Sequence, residues 1–154
     1  MAQTIIIGAD HAGFLLKEEI KFFLEENGWI VKDVGTDSET SVDYPDYGAV
    51  VAKSVASGLF SRGILVCGSG VGMAIVANKF AGIRAAVCLD TETARLSRLH
   101  NDTNILILAG RRTRPEKARE IVAVWLETPF EGGRHRGRLD KIRALEDARS
   151  GFDL

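Results

Sequence analysis

A cysteine and three glycines stand where a predicted strand ends and a predicted helix begins. The segment is Cys67-Gly68-Ser69-Gly70-Val71-Gly72, with an apolar run before it and a helical pattern after it. Glycines let backbone N–H groups approach a ligand closely, and the N-terminus of a helix carries about half a positive charge. The loop therefore suits an anion, either a bound phosphate or a negative charge that develops during a reaction. The same spacing is also compatible with a tight turn and nothing more.

Two nucleotide-binding patterns come close to this loop without matching it. The dinucleotide fingerprint G-x-G-x-x-G needs a third glycine where the chain has Met73, although Asp90 stands about where a ribose-binding acid would lie. The phosphate loop G-x-x-x-x-G-K-[ST] needs a lysine directly after its glycine, and Lys79 comes too late. A nucleotide-binding oxidoreductase stays as an alternative, and we expect no cofactor.

Cys67 adds reactivity to an anion site. A partly exposed thiol beside a helix N-terminus is favoured as the thiolate, which can take a proton or act as a nucleophile. Cys88 lies within the apolar run AAVCL and is expected in the core. Two cysteines make neither a disulfide framework nor a zinc set.

Arginines that could bind an anionic ligand lie further along the chain. Arg111 follows a predicted strand, where charged side chains face the ligand crevice of a parallel sheet. Arg134 and Arg138 are four residues apart and would share a helix face, which suits a phosphate dianion. A solvated basic helix end is the alternative. No two of the three histidines have the spacing of a metal-binding helix, so we expect no metal site.

The composition limits the class of protein. The chain has 154 residues, of which 45% are hydrophobic and 27% charged, so it can bury a sizeable core in one domain. Twenty Lys and Arg against 21 Asp and Glu leave a net charge of -1, which argues against a nucleic-acid partner held by overall charge. The apolar runs are short, and the first residues lack the features of a signal peptide. We expect a cytoplasmic protein with neither a membrane nor a nucleic-acid partner.

The elements that position these residues follow from an alternation of short apolar runs with amphipathic stretches. It predicts right-handed βαβ crossovers and a single domain, residues 1–154, built as a three-layer α/β/α Rossmann-like sandwich with about five parallel strands. Ligands of such sheets bind beyond the carboxyl ends of the strands. The predicted strands are 4–8, 29–34, 63–67, 84–89 and 104–109, and the predicted helices are 14 to about 27, 47–57, 71–80, 91–99, 115–126 and 136–149.

Several short motifs, taken in order along nearly the whole chain, resemble the type B ribose-5-phosphate isomerase family, which includes the galactose-6-phosphate isomerase subunits. The resemblance implies a metal-free aldose–ketose isomerase that works through a cis-enediolate. It also implies a homodimer or homotetramer with active sites between two subunits. The motifs are Asp10-His11-Ala12-Gly13, Asp43-Tyr44-Pro45, Cys67-Gly68-Ser69-Gly70-Val71-Gly72, Ala77-Asn78-Lys79, His100-Asn101-Asp102-Thr103-Asn104 and Glu131-Gly132-Gly133-Arg134.

The resemblance also implies a role for each matching residue. Cys67 is expected to be the base that moves a proton between C1 and C2; a second subset of the family uses a glutamate in the region that Met73 occupies here. Ser69 is expected to assist proton exchange at the substrate oxygens, and His100 to help open the sugar ring with Asp10 nearby. The implied binding residues are Gly68, Ser69, Gly70, Val71, Gly72 and Met73 for the enediolate, Asn101 for sugar hydroxyls, His11, Arg111, Arg134 and Arg138 for the phosphate, and Tyr44 as a lining residue.

Among the sugar phosphates that such an enzyme could take, we expect ribose 5-phosphate, converted to ribulose 5-phosphate. Erythrulose 4-phosphate, allose 6-phosphate and galactose 6-phosphate are alternatives, because the sequence does not show the distance from the thiol to the arginines. A non-catalytic module that binds a sugar phosphate is a further alternative to an enzyme. We expect the C-terminal helix, about residues 136–149, to pack on a partner subunit, although Gly137 weakens the start of that helix.

Overall fold

Five strands and six helices alternate along the chain in the computed structural model, which describes residues 2–150. The order of element types is the one that the sequence predicts. The strands are β1 (Thr4–Ala9), β2 (Ile30–Asp33), β3 (Gly63–Cys67), β4 (Ala85–Val87) and β5 (Ile105–Ala109); the helices are α1 (Phe14–Glu26), α2 (Tyr44–Ala56), α3 (Val71–Ala77), α4 (Thr91–Asn101), α5 (Pro115–Glu127) and α6 (Arg134–Ser150).

The five strands form one parallel sheet in the order β2-β1-β3-β5-β4. From β1 the chain goes first to β2 on one side and then to β3 on the other, so the winding reverses between β1 and β3. Ala9 is paired with Val66, and Cys67 with Ala109, at the carboxyl ends of the three central strands. The residues that follow these strands therefore meet at one edge, where a crevice opens at the switch point. The predicted α/β fold is confirmed.

Continuous apolar runs in the strands fill two cores, one on each face of the sheet. Along β1, Ile5 and Ile7 belong to the core that includes α1 and α5, whereas Ile6 belongs to the core that includes α2 and α3. Successive side chains of a strand point to opposite faces, so a strand covered on both sides must be apolar at every position. Trp125 of α5, fully buried, is the largest side chain of the first core.

Some predicted boundaries were wrong. The structure begins α2 three residues earlier than predicted, at Tyr44, because a proline is tolerated in the first turn of a helix and Pro45 lies there. It also ends α3 three residues earlier than predicted and shortens β4 to three residues.

The start of α6 was also predicted wrongly. It begins at Arg134 rather than Arg136, since Gly132 and Gly133, at φ values of 73° and 54°, turn the chain immediately before it. Gly137 lies inside the helix. Most side chains of α6 are exposed, and the helix contacts α4. Among the described residues, no helix has both the length and the apolar character needed to cross a bilayer.

Candidate active site

A cavity of about 450 Å³ opens at the switch point of the sheet, beyond the carboxyl ends of β1, β3 and β5. Its size is typical of sites for small molecules. We call it the switch-point cavity. It brings together many of the residues that the sequence singled out; its lining residues are Asp10, His11, Ala12, Tyr44, Cys67, Gly68, Ser69, Gly72, Arg111 and Arg112.

A second cavity, of about 530 Å³, lies between α1, α5 and the amino edge of the sheet. Phe23, Leu24, Trp29 and Leu126 are among its lining residues, with no thiol, imidazole or guanidinium. The switch-point cavity is therefore the candidate for chemistry.

The loop after β3 has a separate steric reason for each of its three glycines. Gly70 has a φ of 82°, and a Cβ there would lie 3.0 Å from Val87. A Cβ on Gly72 would lie 2.6 Å from the ring of Tyr44, and one on Gly68 would lie 3.3 Å from the guanidinium of Arg111. Only Gly70 is needed for the turn itself. The other two allow a tyrosine and an arginine to lie directly on the backbone of the loop.

Gly68, Ser69 and Gly72 of this loop line the switch-point cavity, whereas Gly70, Val71 and Met73 are not among its lining residues. The N–H of Val71 donates to Ser69 Oγ at 3.3 Å, and no side chain caps α3. N–H groups in the first turn of a helix have no helical acceptor, so they are available to a ligand. The side chain of Met73 is fully buried in the core, so this residue can meet a ligand only through its N–H.

Cys67 is the last residue of β3 and stands at the edge of the α2–α3 core. It lines the switch-point cavity although it is only 4% exposed. The sequence predicts a partly exposed thiol, and the structure corrects this, because the thiol is almost enclosed. Cys88 is fully buried, and burial raises the pKa of its thiol to about 11, which confirms the expected core position.

Asp10 and His11 follow β1 and have fixed orientations. Asp10 is buried, and its Oδ1 accepts the N–H of Gly13 at 3.0 Å just before α1. His11 Nδ1 lies 3.1 Å from the N–H of Val42, from which it can accept, and 3.2 Å from the Val42 carbonyl oxygen, to which it can donate. The backbone of Val42 therefore holds the ring in either tautomer.

The remaining predicted residues lie at the other edge of the sheet. Since β4 and β5 are parallel, the helix between them, α4, runs back from the carboxyl edge to the amino edge and ends at His100 and Asn101. The five residues of β5 span roughly 17 Å. We call His100, Asn101, Arg134 and Arg138 the amino-edge group. Within a single chain, this group and Cys67 therefore lie at opposite edges of the sheet and cannot belong to one site.

The amino-edge group surrounds a stacked pair of imidazoles. The rings of His100 and His135 lie 4.3 Å apart between centroids, with 18° between their planes. Glu131 Oε2 lies 3.6 Å from His135 Nε2 and 3.9 Å from His100 Nε2. The Glu131 N–H also donates to the Leu99 carbonyl at 3.0 Å, which ties the loop before α6 to the end of α4.

Arg98 holds the end of α4 in place. It is buried, and its Nη1 donates to Asp102 Oδ1 at 2.8 Å and to the Thr103 carbonyl at 2.6 Å, while its Nε donates to the Thr128 carbonyl at 3.2 Å. Asp102 ends the helix with a left-handed φ of 44°. The Nε1 of Trp125 donates to Thr103 Oγ1 at 2.9 Å and links this turn to the core. The network orients the residues that precede it, His100 and Asn101.

His100, Glu131 and His135 bring three potential metal ligands within 4.8 Å of one another. A metal ion bonds to an imidazole nitrogen in the plane of the ring, at about 2 Å. Two planes 18° apart and separated by a stacking distance meet far beyond that length, so both rings cannot bind one ion while they are stacked. The stacked arrangement therefore does not fit a metal ion.

The sequence assigned no role to three residues of these sites. Arg112, at the strand end after β5, lines the switch-point cavity beside Arg111. Glu131 stands in a family motif and His135 is one of the three histidines, but no two histidines have the spacing of a metal-binding helix. The separation of four residues between Glu131 and His135 was a usable signal.

Comparison with known proteins shows which class of enzyme the chain belongs to. Ribose-5-phosphate isomerase B of Escherichia coli (strain K12) is 51% identical over 148 residues, which cover 96% of this chain and 99% of that protein. The solved structure of Clostridium thermocellum ribose-5-phosphate isomerase B has a TM-score of 0.94 at 50% identity, covering 96% of this chain and 99% of that one. D-erythrulose-4-phosphate isomerase of Pectobacterium atrosepticum is 43% identical over 145 residues, covering 93% of this chain and 95% of that protein. The protein is an aldose–ketose isomerase that acts on a sugar phosphate.

The family follows from the match along the chain. The model described as Ribose/Galactose Isomerase matches residues 5–142, and the chain belongs to this family. The resemblance stated from the short motifs is confirmed. The nucleotide-binding oxidoreductase and the non-catalytic module are no longer alternatives.

Proposed function

We propose that the protein interconverts ribose 5-phosphate and ribulose 5-phosphate through a cis-enediolate, with Cys67 as the base. The observation that carries this proposal is the meeting of Cys67, the glycine loop and Arg111 in one small cavity. The 51% identity to a protein named ribose-5-phosphate isomerase B supports the substrate. A buried, reduced Cys67 and Cys88 also suit an enzyme of the cytoplasm.

In the proposed reaction Cys67, as the thiolate, removes the proton from C2 of the open-chain aldose. The electron pair of that C–H bond forms the C1–C2 double bond, and the C1 carbonyl oxygen becomes negative. Ser69 assists transfer of the O2 proton to O1, and the thiol then returns its proton to C1, which leaves a carbonyl at C2. No other reactant is consumed.

The glycine loop stabilises the intermediate. Backbone N–H groups of Ser69, Gly70, Gly72 and Met73 are proposed to donate to the oxygen on which charge develops, and the N–H of Val71 joins them once it leaves Ser69 Oγ. Preorganised donors of this kind contribute about 3–4 kcal/mol each to the transition state in comparable sites. The enclosed position of Cys67 keeps water away from the thiolate and strengthens these interactions.

The phosphate and the ring-opening step require a second copy of the chain. Arg111 and His11 lie in the switch-point cavity, whereas Arg134 and Arg138 lie at the opposite edge of the same chain. We propose a homodimer or homotetramer in which the amino-edge group of one subunit completes the switch-point cavity of another. His100 then opens the sugar ring near Asp10, Asn101 binds hydroxyls, and Tyr44 lines the site.

The C-terminal helix is proposed to help hold the subunits together. Ile142 and Leu145 of α6 are exposed, with 42% and 68% of their surface accessible. These apolar side chains have no place in either core and suit contact with a partner subunit.

A four-carbon substrate is the second candidate, because the Pectobacterium relative at 43% identity bears the name D-erythrulose-4-phosphate isomerase. The distance between Cys67 of one subunit and the arginines of the other would select the sugar length. Six-carbon sugars, allose 6-phosphate and galactose 6-phosphate, need the longest separation.

The test is ketose formation from a panel of aldose phosphates compared by kcat/KM: ribose 5-phosphate, erythrose 4-phosphate, allose 6-phosphate and galactose 6-phosphate. We expect ribose 5-phosphate to lead by at least about tenfold, since one carbon more or less changes pocket contacts by about 1–3 kcal/mol. A higher value for erythrose 4-phosphate would move the assignment to the four-carbon sugar. Turnover led by a six-carbon sugar would contradict both assignments.

A further inference from the structure

We propose that His135 is a positioning residue of the isomerase: its buried ring is the surface on which the imidazole of His100 stacks, and Glu131 lies beside both rings. The proposal rests on the proposed function, in which His100 opens the sugar ring. None of the roles implied by the family motifs falls on His135.

The stack restricts His100. Its side chain is 36% exposed, so without a neighbour it would sample several rotamers. A ring face 4.3 Å away and nearly parallel leaves the imidazole one favoured plane. Opening of the sugar ring needs an imidazole nitrogen at a defined place beside the sugar ring oxygen. A fixed imidazole plane therefore raises the fraction of time that His100 spends in the reactive geometry.

His135 is itself held firmly. It is 4% exposed and is the second residue of α6, where its N–H donates to the Gly132 carbonyl at 3.1 Å. Its Nε2 has no hydrogen-bond partner among the described residues. The contact that His135 offers its neighbour is therefore the face of its ring, which stacks on the ring of His100.

The surroundings of His135 disfavour a positive charge on its ring. The groups that face His135 are His100 from α4, Glu131 from the preceding loop, and Arg134 and Arg138 from α6. Burial lowers the pKa of His135, a protonated His100 lowers it further and both arginines act in the same direction, whereas Glu131 opposes them. Together these groups disfavour a positive charge on His135.

The test compares two substitutions with opposite effects on the stack. His135→Gln keeps a similar volume but removes the ring, and His135→Phe keeps a flat ring. We expect His135→Gln to lower kcat with ribose 5-phosphate about tenfold and to change KM less than twofold, because Arg134 and Arg138 stay on α6. His135→Phe should stay within about threefold of the wild-type kcat. Lys141→Gln, an exposed position on the same helix, is the matched control and should match the wild type.

A spectroscopic readout follows the stack without using activity. The ring protons of His100 can be assigned in ¹H NMR spectra by comparison with His100→Asn. In the wild type and in His135→Phe, the ring current should shift these signals upfield. In His135→Gln the upfield shift should be lost. An unchanged His100 signal in His135→Gln would overturn the proposal even if the phenylalanine variant fails to fold. So would a wild-type kcat in His135→Gln, or an equal loss of kcat in both variants. If the wild type forms no ketose, the proposed function fails, and the NMR comparison still decides the role of His135.

Discussion

At the scale of the residue, Cys67 owes its proposed role to its position at the end of β3. It is nearly enclosed, yet it lines the cavity that the glycine loop and Arg111 also line. Cys88 is the natural comparison, because it is also buried, but it lies in the core that includes α1 and α5, and burial raises the pKa of its thiol to about 11. What distinguishes Cys67 is its place on the wall of the switch-point cavity.

Cys67→Ala should lower kcat about a thousandfold, because the base of the proton transfer is lost. Binding of ribose 5-phosphate, measured by calorimetry, should stay within about threefold, since the phosphate contacts are unchanged. Cys88→Ala is the matched control: it should keep the wild-type kcat and lose about 1 kcal/mol of stability. Retained turnover in Cys67→Ala would remove this residue from the mechanism.

Gly72→Ala should displace the ring of Tyr44, because the added Cβ would lie 2.6 Å from it. We expect kcat/KM to fall about tenfold as the cavity wall moves. The effect should not add to that of Tyr44→Ala, since removal of the ring makes room for the methyl group. Fully additive losses in the double variant would show that the contact between Gly72 and Tyr44 does not transmit the effect.

At the scale of the element, α1 is fastened to the sheet beside the cavity along its N-terminal half. Its N-terminal Gly13 lies so close to β3 that a Cβ there would be 2.4 Å from the Val66 carbonyl oxygen. Further along, the buried Lys17 donates to Asp33 at the end of β2, and Lys21 donates to the same carboxylate at 3.1 Å. These contacts hold the segment that carries Asp10 and His11.

Asp33→Asn should lower the free energy of unfolding by about 2 kcal/mol at neutral pH. The loss is smaller than for a fully buried ion pair, because Glu18 still pairs with Lys17 in the variant. Burial acts to raise the pKa of Asp33, but Lys17, the Gly35 N–H and Lys21 outweigh it and lower that pKa. The stabilisation is therefore present at neutral pH and is lost as the pH falls below the ordinary aspartate range. Urea unfolding at pH 7 and pH 3 measures it, and the difference between variant and wild type should shrink at pH 3.

Asp37→Asn, an exposed position in the loop that follows β2, is the control for this experiment and should leave the stability unchanged within about 0.5 kcal/mol. Equal stability of Asp33→Asn and the wild type at pH 7 would show that the lysine–aspartate contact carries no net free energy.

At the scale of the whole molecule, the proposed site is divided between two edges of the sheet. The switch-point cavity lies at the carboxyl edge, and the amino-edge group lies a strand length away. A symmetric assembly that brings one edge of a subunit against the other edge of its partner makes two complete sites per dimer.

Mixing two inactive variants tests this division. Cys67→Ala removes the base from one half, and the double variant Arg134→Ala/Arg138→Ala removes the phosphate arginines from the other half. Co-expressed dimers that form at random should regain about a quarter of the wild-type activity, because each mixed dimer has one intact site and one doubly defective site. Mixed dimers no more active than the separate variants would mean that each chain forms its own site.

The fold class and the chemical residue types could be predicted from the sequence. Periodicity and propensity act over neighbouring residues, so an apolar run such as that of β1 is enough to indicate a strand covered on both faces. Cys67, Gly68 and Arg111 line one cavity because the carboxyl ends of central parallel strands share an edge, a rule that needs no knowledge of the structure. The family motifs identified the same residues independently.

Only the tertiary structure decided which of these residues meet. The direction of α4 separates His100 from Cys67, and the approach of α6 to α4 buries His135 on His100. Neither can be predicted from local patterns, because each depends on contacts between segments that are far apart in the chain and on how much surface those contacts bury. The observed start of α6 differs from the predicted one for the same reason, because glycines permit a turn but packing decides where the turn lies.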